Sequence, residues 1–213
     1  MQRNVIRGYS TTNHGGVAEN FHNWFVIESD TPFATQMVDG SIAMVGFKTE
    51  RGQQVNLRVA SSFISPEQAG TNLGELGSRT IEQVAGDGRD RWNEVLGRIK
   101  AEDDDVDNLR TFYSCLYRSL LFPRDLSEIN ASGERIHYSP YDGEIHKGYL
   151  FGDTGFWDTF RSLFPLLDLV YPDQEAKMQE GLVNTWLESG FLPEWSSPGH
   201  RGCMVGNNSA SVG

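Results

Sequence analysis

The sequence predicts an α+β fold, with antiparallel strands in the first third of the chain and helices in the rest. Apolar and β-branched runs separated by turn residues occupy residues 21–63. From residue 106 onward, apolar residues recur at spacings of three and four. A helix-start signal, Ser65-Pro66-Glu67-Gln68, lies between the two regions. We therefore expect a β-domain that leads through a helical connection into a helical domain.

Two turn signals divide the β region. Strands are predicted at about residues 24–27, 42–47 and 55–59, because each run is rich in apolar, aromatic or β-branched residues. Asp39-Gly40 and Arg51-Gly52 lie between these runs, where antiparallel strands would reverse. This pattern indicates a meander or half of a β-sandwich, because so few strands cannot close a sandwich alone.

Two helices are predicted around an acidic run. Apolar residues at helical spacing predict a helix over residues 89–100. The acidic run 102–105 is interpreted as the solvated start of a second helix rather than as a metal site. That second helix begins near Val106 and ends before Pro123.

The region that follows combines a long loop with two more helices. Residues 125–152 have no sustained period, but their aromatic side chains favour an ordered loop. Asp153 is predicted to cap a helix that carries Phe156 and Phe160. Pro172 is predicted to open another helix, which ends at Gly190.

The composition excludes several classes of function. The formal net charge is −11, with 18 Lys and Arg residues, which argues against nucleic-acid partners because these require clustered positive charge. Two cysteines among 213 residues argue against a disulfide scaffold or a paired-cysteine metal site. No apolar run approaches the roughly 20 residues of a membrane span. Motifs for phosphoryl transfer, zinc proteolysis, serine hydrolysis and hydride transfer are also missing from the sequence.

The densest group of aromatic and polar residues begins at Trp157. Trp157, Asp158 and Arg161 occupy the first turns of a predicted helix. A pyranose ring stacks its C–H face on an indole, and its hydroxyls bind planar carboxylate and guanidinium groups. The group therefore favours carbohydrate binding. The alternative places Trp157 and Phe160 in the core, with Asp158 and Arg161 as a surface ion pair.

A second group lies in the loop of residues 192–201, LPEWSSPGHR. Its two prolines predict a stiff loop, which suits ligand binding. Glu194 next to Trp195 is either a catalytic acid or a carboxylate that binds hydroxyls. The alternative is an ordinary surface turn in which His200 and Arg201 are solvated.

A third group, Asn207 and Asn208, offers amide oxygens. These atoms suit a hard cation such as calcium. The same residues are also typical of a turn and a helix cap.

Four blocks in order resemble glycoside hydrolase family 92. They are VNLRVASSFISPEQAGTNL at residues 55–73, FYSCLYRSLLFPRDLSE at 112–128, GDTGFWDTFRSLFPLLDLVYPD at 152–173 and ESGFLPEWSSPGHRGCMVGNNSAS at 188–211. The match covers roughly residues 40–213, and four ordered blocks are far more specific than one motif. The chain therefore resembles an internal part of this family's exo-acting α-mannosidases.

The resemblance implies an N-terminal β-sandwich domain followed by a catalytic (α/α)6 toroid. On this basis residues 1–64 would be the C-terminal part of the antiparallel β-sandwich domain. Residues 65–105 would be a helical linker, and residues 106–213 the N-terminal part of the catalytic domain. The chain is thus expected to hold the tail of the sandwich and the first helices of an incomplete toroid.

The resemblance also implies calcium-dependent removal of terminal α-linked mannose from glycans, with inversion. The family's general acid lies in a later Glu-Gly-Asn block and its base in a later Gly-Asn-Asp-Asp block, and neither occurs in this sequence. We therefore expect the chain to supply part of the sugar-binding pocket without the catalytic pair. The parent protein is expected to be periplasmic or extracellular, although the first residues contain no signal-peptide-like segment.

Individual residues carry the resemblance into the expected site. Trp157 and Asp158 match the family's FWD block and would hold mannose, with Arg161 orienting Asp158. The loop that would line the same pocket contributes Glu194, Trp195, His200 and Arg201. Glu194 is also the candidate for a catalytic acid within this chain. Two other interpretations are a different (α/α)6 glycosidase, which a substrate profile would distinguish, and a carbohydrate-binding remnant that binds mannose without forming product.

Overall fold

A computed structural model describes residues 4 to 212 as two compact units. The first unit holds the chain up to Thr11 together with His22–Gly77. The second holds Thr12–Phe21 together with the chain from Ser78 onward. The mixed α+β class with antiparallel sheets is confirmed. The sandwich, the toroid and the three predicted domain ranges stay predictions.

In its described part, from residue 4 onward, the first unit consists of five strands and one helix. They are β1 (Val5–Ser10), β2 (Asn23–Ser29), β3 (Thr35–Asp39), β4 (Ile42–Gly46), β5 (Leu57–Ser62) and α1 (Pro66–Gly74). An antiparallel sheet has the order β1-β2-β5, and β3 and β4 form a separate hairpin. Helix α1 packs against β2 and β5. It begins where predicted, because the Ser65 side chain accepts a hydrogen bond from the amide of Gln68.

The two predicted strand reversals have different outcomes. The turn at Asp39-Gly40 is confirmed, since Asp39 pairs with Ile42 and Gly40 has a φ of 55° that suits glycine. The reversal at Arg51-Gly52 is wrong, because β4 does not pair with β5. Strand β5 instead returns to β2, so the sheet is not a simple meander.

The second unit contains five α-helices in its described part. They are α2 (Ile81–Leu96), α3 (Val106–Ser119), α4 (Phe156–Thr159), α5 (Leu163–Val170) and α6 (Pro172–Ser189). A short 3₁₀ helix follows at Asn208–Ser211. Their shared core consists of Leu116, Phe156, Phe164, Leu167 and Tyr171. None of the helices between residues 4 and 212 is both long and apolar enough to cross a membrane.

Local capping explains where α2 and α3 begin. Helix α2 starts at Ile81 rather than at residue 89, because Thr80 and Gln83 form a capping box. Helix α3 begins at Val106 as predicted, and Asp105 at the end of the acidic run caps it by accepting a hydrogen bond from the amide of Asp107. Across residues 4–212 no group of three or more His, Cys, Asp or Glu residues is arranged to hold a metal ion.

The predicted loop before α4 is ordered and built from short strands. They are β6 (Arg124–Asp125), β7 (Glu128–Ile129), β8 (Arg135–Tyr138), β9 (Ile145–Lys147), β10 (Phe151–Gly152) and β11 (Thr154–Gly155). Strands β7, β8 and β9 form one antiparallel sheet, and β10 pairs with β6. The aromatic residues of this region therefore mark an ordered segment, as predicted.

Asp153 is not the cap of the next helix, and this prediction is wrong. The residue that caps α4 is Gly155, without a side-chain hydrogen bond. Thr154 and Gly155 are held in β11, so the helix begins only at Phe156. The opening of α6 at Pro172 is confirmed, as is its end at Gly190, whose φ is 78°.

Candidate functional site

A two-residue ladder brings two distant segments together. Strand β11 pairs with β12 (Trp195–Ser196), so that Thr154 lies opposite Ser196 and Gly155 opposite Trp195. The amide of Phe156 also donates to the carbonyl oxygen of Glu194 at 3.0 Å. The ladder therefore places the first turn of α4 beside the loop of residues 194–201.

Gly155 lies between a carboxylate and an indole. A Cβ atom on this glycine would be 2.9 Å from Oδ2 of Asp158 and 3.7 Å from Cδ2 of Trp195. Because both groups approach the same point beside Gly155, the Asp158 carboxylate and the Trp195 indole are neighbours. Two of the predicted site residues, which are far apart in sequence, thus share one side of the ladder.

Trp157 and Arg161 form an exposed stacked pair. Trp157 is 41% exposed, and the guanidinium carbon of Arg161 lies 4.4 Å from the centroid of the Trp157 ring. Arg161 also donates to the carbonyl oxygen of Trp157 at 3.4 Å. The alternative of a core tryptophan is therefore wrong. Within the described chain, Arg161 forms no ion pair with Asp158, and its guanidinium lies over the aromatic rings of Trp157 and Phe160 instead.

The loop after β12 has a similar pair. The guanidinium carbon of Arg201 lies 5.3 Å from the centroid of the Trp195 ring, and the Arg201 amide donates to the Trp195 carbonyl at 2.8 Å. Both arginines therefore lie over tryptophan faces, an arrangement that cation–π attraction favours. Arg201 is half-buried, which does not agree with a freely solvated turn.

Two polar atoms in this loop are buried without a partner among the described residues. They are Oε2 of Glu194 and Nε2 of His200. The His200 ring lies 4.6 Å from the ring of Tyr141, and burial lowers the pKa of His200, so the imidazole is neutral at pH 7. A buried polar atom without a hydrogen bond is costly, so both atoms are suited to bind a ligand's polar groups.

A buried histidine–glutamate contact lies on a neighbouring segment and was missed by sequence reasoning. His137 Nδ1 donates to the carbonyl of Gly148 at 3.0 Å, and its Nε2 lies 2.8 Å from Oε1 of Glu188. Burial raises the pKa of Tyr141 to about 12, and the negative charge of Glu188 adds to this shift. No periodic signal links these residues, because 51 positions separate His137 from Glu188.

A strap, defined as Thr12–Phe21, docks on the same unit and was also missed. The amide of Ala18 donates to the carbonyl of Pro140 at 2.9 Å, and the side chain of Asn20 donates to the carbonyl of Gly143 at 2.9 Å. A Cβ on Gly16 would lie 1.9 Å from the carbonyl oxygen of His200. The strap therefore packs backbone against backbone beside the site loop.

Asn207 and Asn208 lie at the start of the 3₁₀ helix. The side-chain nitrogen Nδ2 of Asn208 donates to the carbonyl of Val205 at 3.0 Å, so its Oδ1 is the atom that could bind a cation. Calcium in proteins takes about six to eight oxygen ligands. Two neutral amides therefore do not make a complete calcium site.

Comparisons with known proteins identify the family of the chain. Residues 68–212 match the model of the glycosyl hydrolase family 92 catalytic domain. The chain is similar to the structure of the family GH92 inverting mannosidase BT2199 from Bacteroides thetaiotaomicron, with 42% identity and a TM-score of 0.94. That alignment covers 99% of this chain and 31% of the other. The GH92 α-mannosidase BT3965 of the same organism, 23% identical with a TM-score of 0.81, shares the fold and is also solved with mannoimidazole.

A curated relative gives further support. An uncharacterized secreted glycosidase of Arthroderma benhamiae is 37% identical over 82 residues, which are 36% of this chain and 11% of the relative. The fold and the family match define a glycoside hydrolase. The chain belongs to glycoside hydrolase family 92. It spans about a third of the structural relatives it matches.

Proposed function

We propose that this chain supplies part of the mannose-binding site of an inverting family 92 α-mannosidase that acts on terminal α-linked mannose in glycans. The observation that carries the proposal is the convergence of Asp158 and Trp195 on Gly155, beside the exposed indole of Trp157. A sugar needs both an aromatic face and planar hydrogen-bonding groups, and this surface offers both. The mannosidase similarity at 42% identity supports mannose as the sugar.

Each proposed contact follows from the chemistry of the side chain. Trp157 or Trp195 stacks on the C–H face of the pyranose, and Asp158 accepts hydrogen bonds from ring hydroxyls. Glu194 and the neutral His200 supply further polar atoms that are free to bind a hydroxyl. Arg161 and Arg201 support the two indoles from the contacts described above.

The catalytic pair is proposed to come from residues outside this chain. Inversion needs one carboxylic acid and one carboxylate about 6.5 to 9.5 Å apart. Glu194 and Asp158 are assigned here to sugar binding, since Asp158 is exposed beside Trp195 and Glu194 is half-buried in the loop. Calcium is proposed as the cofactor of the whole enzyme, with Asn207 and Asn208 supplying at most a minority of its ligands.

Calorimetric titration of the 213-residue chain with mannoimidazole tests the proposal. We expect binding by the wild type, and at least about tenfold weaker binding by Trp157→Ala and Asp158→Asn, because a stacking face or a hydroxyl acceptor is lost. Trp186→Ala is the matched control, since Trp186 is also an exposed tryptophan (51%) and lies on α6. Equal losses in all three variants, or no binding by the wild type, would contradict the proposed site.

Two further assays test the other parts of the proposal. A synthetic α-mannoside with calcium should give no turnover with this chain, and robust turnover would instead assign the acid role to Glu194. Melting curves with calcium and with magnesium test the cation, because only a specific calcium site raises the melting temperature for one ion. An extracellular or periplasmic location is proposed from the secreted fungal relative and is tested by fractionating the source cells.

A further inference from the structure

We infer that Asp153 is a positioning residue that holds the loop of residues 194–201 in register against α4. Among residues 4–212, Asp153 is the one non-glycine residue with a positive φ, at 62°. This left-handed conformation is disfavoured for most L-residues and is tolerated best by Asn, Asp and Gly. A residue held there signals that its side chain or backbone has a specific role.

The carboxylate of Asp153 joins three segments. Its Oδ2 accepts a hydrogen bond from Nε of Arg124 in β6 and forms an ion pair with Nη2 of the same guanidinium. Its Oδ1 accepts from the hydroxyl of Ser197 at 2.7 Å, and its amide donates to the carbonyl of Ser196 at 2.7 Å. The side chain is only 18% exposed. Asp153 thus connects β6, the junction of β10 and β11, and the residue that follows β12.

The short ladder explains why this connection matters. Strands β11 and β12 pair over two residues each, so few backbone hydrogen bonds define their register. A slip of one residue in such a pair would turn Trp195 to the opposite face and move it away from Asp158. Hydrogen bonds to an ionised carboxylate are stronger than neutral ones, so the contacts of Asp153 oppose such a slip.

The consequence for sugar binding rests on the proposed function, whereas the register role does not. If Asp153 fixes the ladder, then removing its charge separates Trp195 and Glu194 from Trp157 and Asp158 even though none of these four residues is changed. Asp153 itself is assigned no contact with the sugar.

The variant Asp153→Asn tests the inference in the 213-residue chain. Asparagine keeps the size of the side chain and tolerates the positive φ, but it is neutral and is a weaker partner for Arg124. Asp173→Asn is the matched control, because Asp173 forms a comparable pair with Arg98 at 2.6 Å on other segments. If Asp153→Asn does not fold, Ser197→Ala is used in its place, because it removes the hydrogen bond from Ser197 to Asp153.

Two readouts separate this inference from the proposed function. Hydrogen–deuterium exchange at the amides of Phe156 and Arg201 reports the ladder without any ligand, because these amides donate to Glu194 and Trp195. We expect about tenfold faster exchange and about tenfold weaker mannoimidazole binding in Asp153→Asn, with neither change in Asp173→Asn.

The outcomes are distinguishable. Unchanged exchange in Asp153→Asn overturns the inference, and faster exchange with unchanged mannoimidazole binding overturns its consequence for sugar binding. Faster exchange in a chain whose wild type does not bind mannoimidazole supports the register role of Asp153 and refutes the proposed function.

Discussion

Gly199 and Gly16 pack so closely that a Cβ on Gly199 would lie 1.6 Å from the carbonyl oxygen of Gly16. The contact joins the strap to the site loop through two backbones, with no room for a side chain between them. Real Cβ atoms do not approach an oxygen at this distance, so only glycine fits at position 199 without moving one of the two segments.

Gly199→Ala is therefore expected to destabilise the chain by about 1–3 kcal/mol, the range of an overpacked buried contact. Gly202→Ala is the control, because a Cβ there meets no atom within 4 Å. Urea denaturation of both variants at pH 7 measures the difference. Similar stabilities would show that the strap is displaced at little cost.

Glu188→Ala is expected to lower the free energy of unfolding by about 2–3 kcal/mol, because it leaves Nε2 of buried His137 without its hydrogen-bond partner. Glu188→Gln should cost about 1 kcal/mol or less, since a glutamine amide can donate to Nε2 of a neutral imidazole whose Nδ1 donates to Gly148. Chemical denaturation checks both values. Equal losses would mean that the charge of Glu188 is required.

His200 should make stability depend on pH. Burial lowers its folded-state pKa below the unfolded value of about 6.5, so its contribution is present above that pH and is lost as the pH falls below it. The unfolding free energy of the wild type should therefore decline more steeply than that of His200→Gln between about pH 6.5 and 5. Parallel curves would contradict a buried neutral imidazole.

Gly155→Ala should weaken sugar binding with little effect on stability. The new Cβ would lie 2.9 Å from Oδ2 of Asp158, and it would move this carboxylate rather than the backbone. We expect about tenfold weaker mannoimidazole binding, equal to about 1.4 kcal/mol. Gly88→Ala, where a Cβ meets no atom within 4 Å, is the control. Unchanged affinity in Gly155→Ala would contradict the assignment of Asp158 to sugar binding.

Sequence reasoning succeeded where the determining groups are local. Ser65 caps α1 through an amide three residues away, and Pro172 and Gly190 bound α6 by their own backbone preferences. The assignment of Asp153 failed because its partners are remote. Arg124 and Ser197 lie 29 and 44 residues away and donate hydrogen bonds to the Asp153 carboxylate, which a helix cap would instead use to accept from an amide of the first turn.

The candidate site was predicted as a set of residue types and not as a geometry. Trp157, Asp158, Glu194 and Trp195 were selected by composition and family resemblance. Their proximity depends on a ladder between β11 and β12 that no periodicity reveals. The arginine–tryptophan contacts were missed for a different reason. The spacing of Asp158 and Arg161 on a helix predicted an ion pair, whereas Arg161 stacks on the Trp157 ring, and Arg201 stacks in the same way on Trp195.

The strap also sets an order of events during synthesis. Asn20 bonds to residues 118 and 123 positions later in the chain, Tyr138 and Gly143. Contacts of such large sequence separation close long loops and form late, so the strap leaves the ribosome well before its docking surface exists. We expect Thr12–Phe21 to stay sensitive to protease on nascent chains until the segment through His200 has emerged from the ribosome. Loss of cleavage in the strap would therefore report when the second unit has folded.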